Sequence, residues 1–197
     1  MKLICNSLSP FARKVIILNR LQGHGIEEVP AKKDGANGYG AGNNPLGKIP
    51  SLEWKPDEYL FDSPVICEFL DQRAKSPLLP RDPQARIQQQ LFHALGDGLA
   101  DAVYNFRYET VRPEALHWDE IIVRHEAAIN NSIDYLEQIV DALGQPWSFG
   151  NLAIICALDY ANFRAGHLNW QARAPKLAKW HESFTAETVY NDTFVYS

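Results

Sequence analysis

Two serines stand where helices are predicted to begin, and each is followed by proline: Ser9 before Pro10 and Ser63 before Pro64. A hydroxyl residue and then a proline are the usual signals of a helix start. A hydroxyl at this position can hydrogen-bond an anion, and the helix dipole favours negative charge there. Capping the helix is also a sufficient reason for either serine, so the pattern leaves both roles open.

Three cysteines, Cys5, Cys67 and Cys156, are the other side chains that could act as nucleophiles. Their odd number and the lack of CxxC spacing argue against a disulfide framework and against a zinc site, so we expect no metal. Each follows two apolar residues. We therefore expect buried, reduced thiols that pack as small hydrophobic side chains.

The N-terminal part of the chain alternates short apolar runs with amphipathic stretches. The predicted elements are a strand at 2–5, a helix at 10–21, strands at 26–30, 50–54 and 58–61, and a helix from 62 to about 73. A strand–helix–strand start predicts a parallel pair, and a hairpin then adds antiparallel strands. The glycine- and asparagine-rich segment 34–44 predicts a loop and lacks the spacing of a phosphate-binding loop.

Prolines at positions 77, 80 and 83 predict a linker, which places a domain boundary near residue 80. The two domains would span 1–80 and 81–197. Helical spacing dominates the second. The predicted helices are a long one over about 87–111, a second at 118–143, a buried one at 152–163 and a last short one from Pro175.

Composition excludes several classes of protein. The chain has 197 residues, 46% of them hydrophobic and 22% charged, which is typical of a globular protein. A net charge of −5 without a basic stripe argues against nucleic-acid binding. The longest uninterrupted apolar run, 152–158, is far shorter than the roughly 20 residues of a membrane span, and the N-terminus does not resemble a signal peptide. We expect a soluble, cytoplasmic protein.

Three motifs, in this order and spacing, resemble those of the soluble glutathione S-transferase superfamily. They are Ser-Pro-Phe-Ala-Arg-Lys-Val at 9–15, Asn-Pro-Leu-Gly-Lys-Ile-Pro at 44–50 and Phe-Asp-Ser-Pro-Val-Ile at 61–66. A looser match at 151–180 is similar to the buried sixth helix of that family and the helix after it. The resemblance implies a thioredoxin-like N-terminal domain with a mixed four-stranded sheet, an all-helical C-terminal domain, and usually a homodimer.

The resemblance also implies site residues. Ser9 matches the position of the catalytic hydroxyl or thiol; the cysteine thiol of glutathione has a pKa of about 8.5, and a hydroxyl donor at a helix start favours its thiolate. Ile49, before a cis Pro50, would pair its backbone with the cysteinyl unit. Asp62 would take the ammonium group of glutathione, and Ser63 would bind the glutamyl carboxylate.

Other residues are expected around this core of the site. Lys48 would lie near the glycyl carboxylate of glutathione, with Lys33 or Lys32 as alternatives. A small hydrophobic electrophile would bind beside Phe11, between the domains. The long helix would contribute candidates to that site: Tyr104 and Tyr108, which share a face because they are four residues apart, with Arg107 and Arg112 nearby.

Three features stay open at this level. Arg13 would lie near the thiol or form a structural ion pair. Asp159, inside the predicted buried helix, needs a partner that the sequence does not name. The sixth helix begins with Ser148 and has Asn151 where the family often has aspartate, so this capping box brings no charge to the helix dipole.

Three functions are compatible with these motifs. The first is an enzyme that binds glutathione as co-substrate and conjugates its thiolate to small hydrophobic electrophiles. The second, a glutathione-dependent reductase or thiol transferase, would require a cysteine at position 9. The third is a non-catalytic member of the same fold that binds glutathione or a protein partner, because a fold does not by itself prove activity.

Overall fold

A computed structural model describes residues 1–33, 38, 44–144 and 147–196. Within these residues, four strands form one mixed sheet in the order β2-β1-β3-β4. The strands are β1 (Lys2–Cys5), β2 (Glu27–Pro30), β3 (Ser51–Lys55) and β4 (Glu58–Leu60). β1 pairs with β2 in parallel and with β3 in antiparallel fashion, and β3 and β4 form the hairpin. This arrangement confirms the predicted parallel pair and antiparallel hairpin. The predicted loop at 34–44 lies largely outside the described residues.

Two helices accompany the sheet. The first, α1 (Pro10–Gln22), follows β1 and buries its apolar side chains against the sheet and the helices behind it. It ends where Gly23 adopts a positive φ of 67°, which glycine accommodates without strain. The second, α2 (Ser63–Asp71), follows β4 and packs against α1. Both helices start within a residue of their predicted positions.

The rest of the described chain is helical. The elements are α3 (Pro83–Thr110), α4 (Asp119–Leu143), α5 (Phe149–Ala165), α6 (Trp170–Arg173), α7 (Pro175–Glu182) and α8 (Thr188–Thr193). α5 is buried along most of its length, as its uniformly apolar sequence predicts, and packs mainly against α3 and α1. The helix from Pro175 is not the last one: α8 follows it and contacts α1. Six residues with few apolar side chains give little helical periodicity, which explains why the sequence pattern did not reveal α8.

The close approach of α3 and α5 depends on Gly96. A Cβ added there would lie 2.5 Å from the backbone of Ala153 in α5, which is shorter than real contacts of this kind. Gly98, two residues along, has no described atom within 4 Å of such a Cβ. The sequence marks both glycines as weak points of a helix. The structure shows that only Gly96 is required by packing.

Candidate active site

Ser9 lies at the N-terminus of α1 and is half-buried. Its Oγ accepts a hydrogen bond from the N–H of Ala12 at 3.3 Å, which makes Ser9 the N-cap of the helix. Its own N–H donates to the Asn6 carbonyl at 3.0 Å, so the turn before the helix fixes its backbone. Because the hydroxyl oxygen is the acceptor for the helix, its proton can be donated to a ligand. Capping and ligand binding are therefore compatible at this residue.

A short loop before β3 presents Lys48 and Ile49. The buried side chain of Asn44 organises this loop: its Nδ2 donates to the Lys48 carbonyl at 2.9 Å, and its Oδ1 accepts from the Leu46 N–H at 2.9 Å. The Ile49–Pro50 peptide bond is cis, as the resemblance implied. Lys48 is exposed and Ile49 is half-buried, so both can meet a ligand.

Asp62 and Ser63 lie at the start of α2. Asp62 is the N-cap, and its Oδ1 accepts the N–H of Ser63 at 2.5 Å. The Ser63 Oγ is buried and has no hydrogen-bond partner among the described residues. The resemblance implies that Ser63 offers both its N–H and its hydroxyl to a ligand carboxylate. In this structure the N–H is bonded to Asp62, so the hydroxyl is the donor that remains for a ligand.

A cleft of about 440 Å³ opens beside Ser9. Six predicted site residues line it: Ser9, Phe11, Lys48, Ile49, Tyr104 and Tyr108. Pro50, Asp62 and Ser63 are not among its lining residues, although Pro50 directly follows Ile49. Lys33 and Lys32 are exposed and are not brought to the cleft. The reason is that they follow the edge strand β2, which β1 separates from β3.

The long helix α3 contributes to the wall of the same cleft. Tyr104 and Tyr108 share one face, as their spacing predicts, with ring centroids 4.4 Å apart. Phe106 instead packs into the core. Arg107 lines the cleft, whereas Arg112 does not: it bonds the Glu109 carboxylate at 3.0 and 3.1 Å. Arg112 was expected near this site, but its guanidinium is paired with the carboxylate of Glu109, three residues earlier in the chain.

Sequence reasoning missed Asp101 and did not assign Tyr160 or Arg164 to the cleft, although all three line it. The pKa of Asp101 is raised, chiefly because the surroundings remove part of its hydration; the charge of Lys48 opposes this effect and that of Asp62 adds to it. Asp101 could have been found because it lies on the same helical face as Tyr104. Tyr160 and Arg164 are contributed by α5, whose orientation only the fold decides.

Behind the cleft, α1 is tied to α3 by a buried polar cluster of Lys14, His93 and Asp97. The Lys14 Nζ contacts the Asp97 carboxylate and lies 2.9 Å from His93 Nε2. His93 Nδ1 lies 3.1 Å from the Phe149 carbonyl, to which it donates. Burial, reinforced by the charge of Lys14, lowers the pKa of His93 to about 3. The ring is therefore neutral, and its Nε2 accepts from Lys14.

Arg13 is not part of the cleft. It forms a buried ion pair with Asp159, which decides between its two expected roles and names the partner that Asp159 needs. Ser7, two residues before Ser9, borders a separate depression of about 90 Å³ together with Arg13. At the start of α5 the Ser148 Oγ accepts from the Asn151 N–H at 3.3 Å, and the Asn151 amide donates to the Leu143 carbonyl at 2.9 Å.

The three cysteines are buried and free, and their surroundings do not favour the thiolate form. Burial is the main cause that raises the pKa of Cys5 to about 11 and the pKa of Cys67 and Cys156 to about 12. Each thiol is thus protonated near neutral pH. Within the described ranges, no three His, Cys, Asp or Glu side chains are grouped so that they could hold a metal ion. None of the helices in those ranges combines the length and apolar character needed to cross a bilayer.

Comparison with known proteins agrees with this fold. Residues 3–78 match the family model of the glutathione S-transferase N-terminal domain. A GST-like protein of Escherichia coli (strain K12), YibF, described as uncharacterised, is 36% identical over 98% of both chains. The chain therefore belongs to the glutathione S-transferase superfamily, and the predicted fold class, a thioredoxin-like sheet region followed by a helical region, is confirmed.

Two solved structures are similar to this chain in both sequence and fold. A glutathione transferase family member from Pseudomonas fluorescens Pf-5, with bound glutathione, has 31% identity and a TM-score of 0.92, covering 98% of this chain and 97% of its own. A glutathione S-transferase from Methylobacillus flagellatus KT, also with glutathione bound, has 30% identity and a TM-score of 0.90, covering 98% of each chain.

Proposed function

We propose that this protein is a glutathione transferase that binds glutathione, stabilises its thiolate and conjugates it to small electrophiles. The observation that carries the proposal is the position of Ser9, at the N-terminus of α1 and on the wall of a cleft, with a hydroxyl that caps the helix and can still donate. A donor and a helix dipole at one point lower the free energy of a thiolate relative to its thiol. The relatives whose structures hold glutathione support the same ligand.

Glutathione would lie along three segments, which are the start of α1, the loop before β3 and the start of α2. Its cysteinyl unit would meet the backbone of Ile49 next to the cis Pro50, with its sulfur toward Ser9. Its glutamyl end would reach Asp62 and the Ser63 hydroxyl, and its glycyl carboxylate would reach Lys48. The electrophile would occupy the part of the cleft lined by Phe11, Tyr104 and Tyr108.

A disulfide-exchange function is disfavoured. It would need a thiol that forms a mixed disulfide with glutathione, but position 9 carries a hydroxyl. The cysteine nearest to Ser9 in sequence, Cys5, is buried on β1, and its pKa of about 11 keeps it protonated. These observations support conjugation over reduction.

The test is calorimetric titration of glutathione, combined with conjugation assays against an aryl chloride activated by nitro groups. We expect binding in the millimolar range or tighter. Ser9→Ala should lower kcat/KM about 10- to 100-fold, the worth of a hydrogen bond to a charged group, and should raise the pKa of the bound thiol. Ser9→Thr, which keeps both cap and donor, should retain most activity, and Ser7→Ala should match the wild type.

Three results would contradict the proposal. Absence of glutathione binding would overturn it entirely. Unchanged conjugation in Ser9→Ala would remove the role of Ser9. Binding without turnover of any electrophile would make the protein a non-catalytic glutathione-binding member of the fold.

We also propose a cytoplasmic homodimer. Several large apolar side chains are half exposed or more, and three of them are Val65 of α2 (50%), and Ile87 (64%) and Leu91 (55%) of α3. An ion pair between Glu68 and Arg86 holds α2 beside the start of α3, so these side chains lie on neighbouring helices. Ile87→Glu should give a monomer in light-scattering chromatography, whereas Val123→Glu, also at a 64% exposed position but on α4, should not. A dimer that survives Ile87→Glu would contradict this surface.

A further inference from the structure

One end of the cleft carries two arginines, Arg107 of α3 and Arg164 of α5. The Arg164 guanidinium lies 4.0 Å from the centroid of the Phe163 ring, and it lies 5.9 Å from the centroid of Tyr160. This stacking holds the planar group against aromatic faces at the border of the cleft. Two helices thus bring two permanent positive charges to one end of a space of about 440 Å³.

Protein carboxylates do not neutralise these charges. Within the described part of the chain, neither Arg107 nor Arg164 forms an ion pair, and the buried Nε of Arg164 has no hydrogen-bond partner. Five other arginines do pair with Asp or Glu: Arg13, Arg20, Arg86, Arg112 and Arg173. A buried donor without a partner is costly, and an acceptor on a ligand would satisfy it.

The arginines lie away from the groups assigned to glutathione. Along α3, Asp101 lies close enough to Lys48 and Asp62 for their charges to act on its pKa. Arg107 comes six positions later, about 9 Å along the helix axis. At that end, burial raises the pKa of Tyr160, and the charges of Arg164 and Arg107 oppose the rise, which places all three groups together. The positive end therefore belongs to the space left for the second substrate.

Around the two arginines the wall is aromatic and apolar. Tyr104 and Tyr108 pack with their ring centroids 4.4 Å apart, and Val111 extends this surface by a further turn. A flat apolar body fits such a wall. A carboxylate on that body would be within the part of the cleft where Arg107 and Arg164 offer planar, forked donors.

We propose that the second substrate is a flat, apolar electrophile that carries a carboxylate, bound by Arg107 and Arg164. This inference rests on the proposed function and specifies its substrate class. With para-(chloromethyl)benzoate as probe, the thiol proton is lost to solvent and the thiolate sulfur forms a bond to the benzylic carbon. The carbon–chlorine bond breaks, and chloride leaves with the electron pair. The carboxylate takes no part in the bond changes and serves to position the substrate.

The matched probe is para-(chloromethyl)benzamide, which has the same shape without the charge. Values of kcat/KM for each, divided by the uncatalysed rate with glutathione, should favour the acid about tenfold, as expected for one charge-assisted interaction near solvent. Arg107→Gln and Arg164→Gln should each remove most of this preference. Arg124→Gln, at an exposed position on α4 outside the cleft, should keep it. Equal normalised rates for acid and amide would overturn the inference.

A binding experiment keeps this test separate from that of the proposed function. The ligands are glutathione and the two S-benzyl conjugates made from the acid and amide probes. We expect the carboxylated conjugate to bind about tenfold more tightly than the amide, and only that difference to shrink in Arg107→Gln. If glutathione itself weakens equally in Arg107→Gln, the arginines serve its own carboxylates and the inference fails while the proposed function stands. Arg107 is exposed, so this variant should fold even if Arg164→Gln does not.

Discussion

Arg13 of α1 and Asp159 of α5 form an ion pair in which each side chain is only 1% exposed, although 146 positions separate them. The Asp159 Oδ1 also accepts from the Tyr190 hydroxyl at 2.9 Å and lies 2.6 Å from His181 Nε2. Arg13 Nε donates to the Thr193 carbonyl at 3.0 Å. One carboxylate and one guanidinium thus tie the helix that carries Ser9 to α5, α7 and α8.

Breaking this ion pair should strongly destabilise the folded protein. Asp159→Asn should lower the free energy of unfolding by about 3–5 kcal/mol, because it leaves a buried guanidinium without its counter-ion. Chemical denaturation measures the change. The control is Asp134→Asn: its ion pair with Arg173 is largely exposed, so the loss should be much smaller. Similar decreases in the free energy of unfolding in the two variants would show that the buried pair stabilises the fold no more than the exposed one.

His93 should make the protein less stable in acid. Its folded-state pKa is about 3, against an ordinary value of 6.5, because it is buried and faces the charge of Lys14. Between these pH values His93 is protonated in the unfolded chain but stays neutral in the folded one. The free energy of unfolding therefore falls as the pH drops from about 6.5 toward 3. In His93→Gln this contribution should vanish, a difference of about 1.4 kcal/mol per pH unit within the window.

Denaturation curves at several pH values measure this effect. The neighbouring Asp97 has a raised pKa, chiefly through burial, and so contributes in the opposite sense just above its ordinary value of 3.8. It is present in both proteins, and the comparison between them isolates the histidine. His117→Gln, at a half-buried position outside this cluster, should reproduce the pH dependence of the wild type. Parallel pH profiles for wild type and His93→Gln would contradict the assignment.

Two glycines of α3 should respond to the same substitution with opposite signs. Gly96→Ala places a methyl group 2.5 Å from the Ala153 backbone and should destabilise the fold by about 1–3 kcal/mol. Gly98→Ala meets no described atom within 4 Å and should stabilise the helix by about 0.5–1 kcal/mol. Thermal unfolding of both variants checks this. Destabilisation by Gly98→Ala would show that the space around it is not free.

Ser63→Ala should separate ligand binding from stability. The Ser63 hydroxyl is buried without a partner among the described residues, so its removal should change the free energy of unfolding little, while glutathione should bind about tenfold more weakly. Ser51→Ala is the matched control, because the Ser51 hydroxyl is equally buried and equally unpartnered within those residues but lies on β3. Titration calorimetry that finds equal losses in the two variants would exclude a specific role for Ser63.

Much of the N-terminal half could be predicted because its signals are local. A serine before Pro10, the strand at 2–5 and the hairpin around Pro56 depend on neighbours within a few residues, and each lies where it was expected. The motifs at 9–15, 44–50 and 61–66 led to the correct superfamily for the same reason. The roles of Ser9 and Asp62 toward glutathione, and the domain boundary near residue 80, remain predictions.

By itself the sequence determined which helices begin where, and which residue types stand at their starts, since capping and periodicity act over one or two turns. Only the tertiary structure decided that Arg13 serves Asp159 and not the cleft, that Gly96 is a contact point, and that Arg164 joins Arg107. Each of these depends on two helices far apart in sequence meeting at a given rotation and distance. That geometry is set by the packing of the whole core, and no local pattern encodes it.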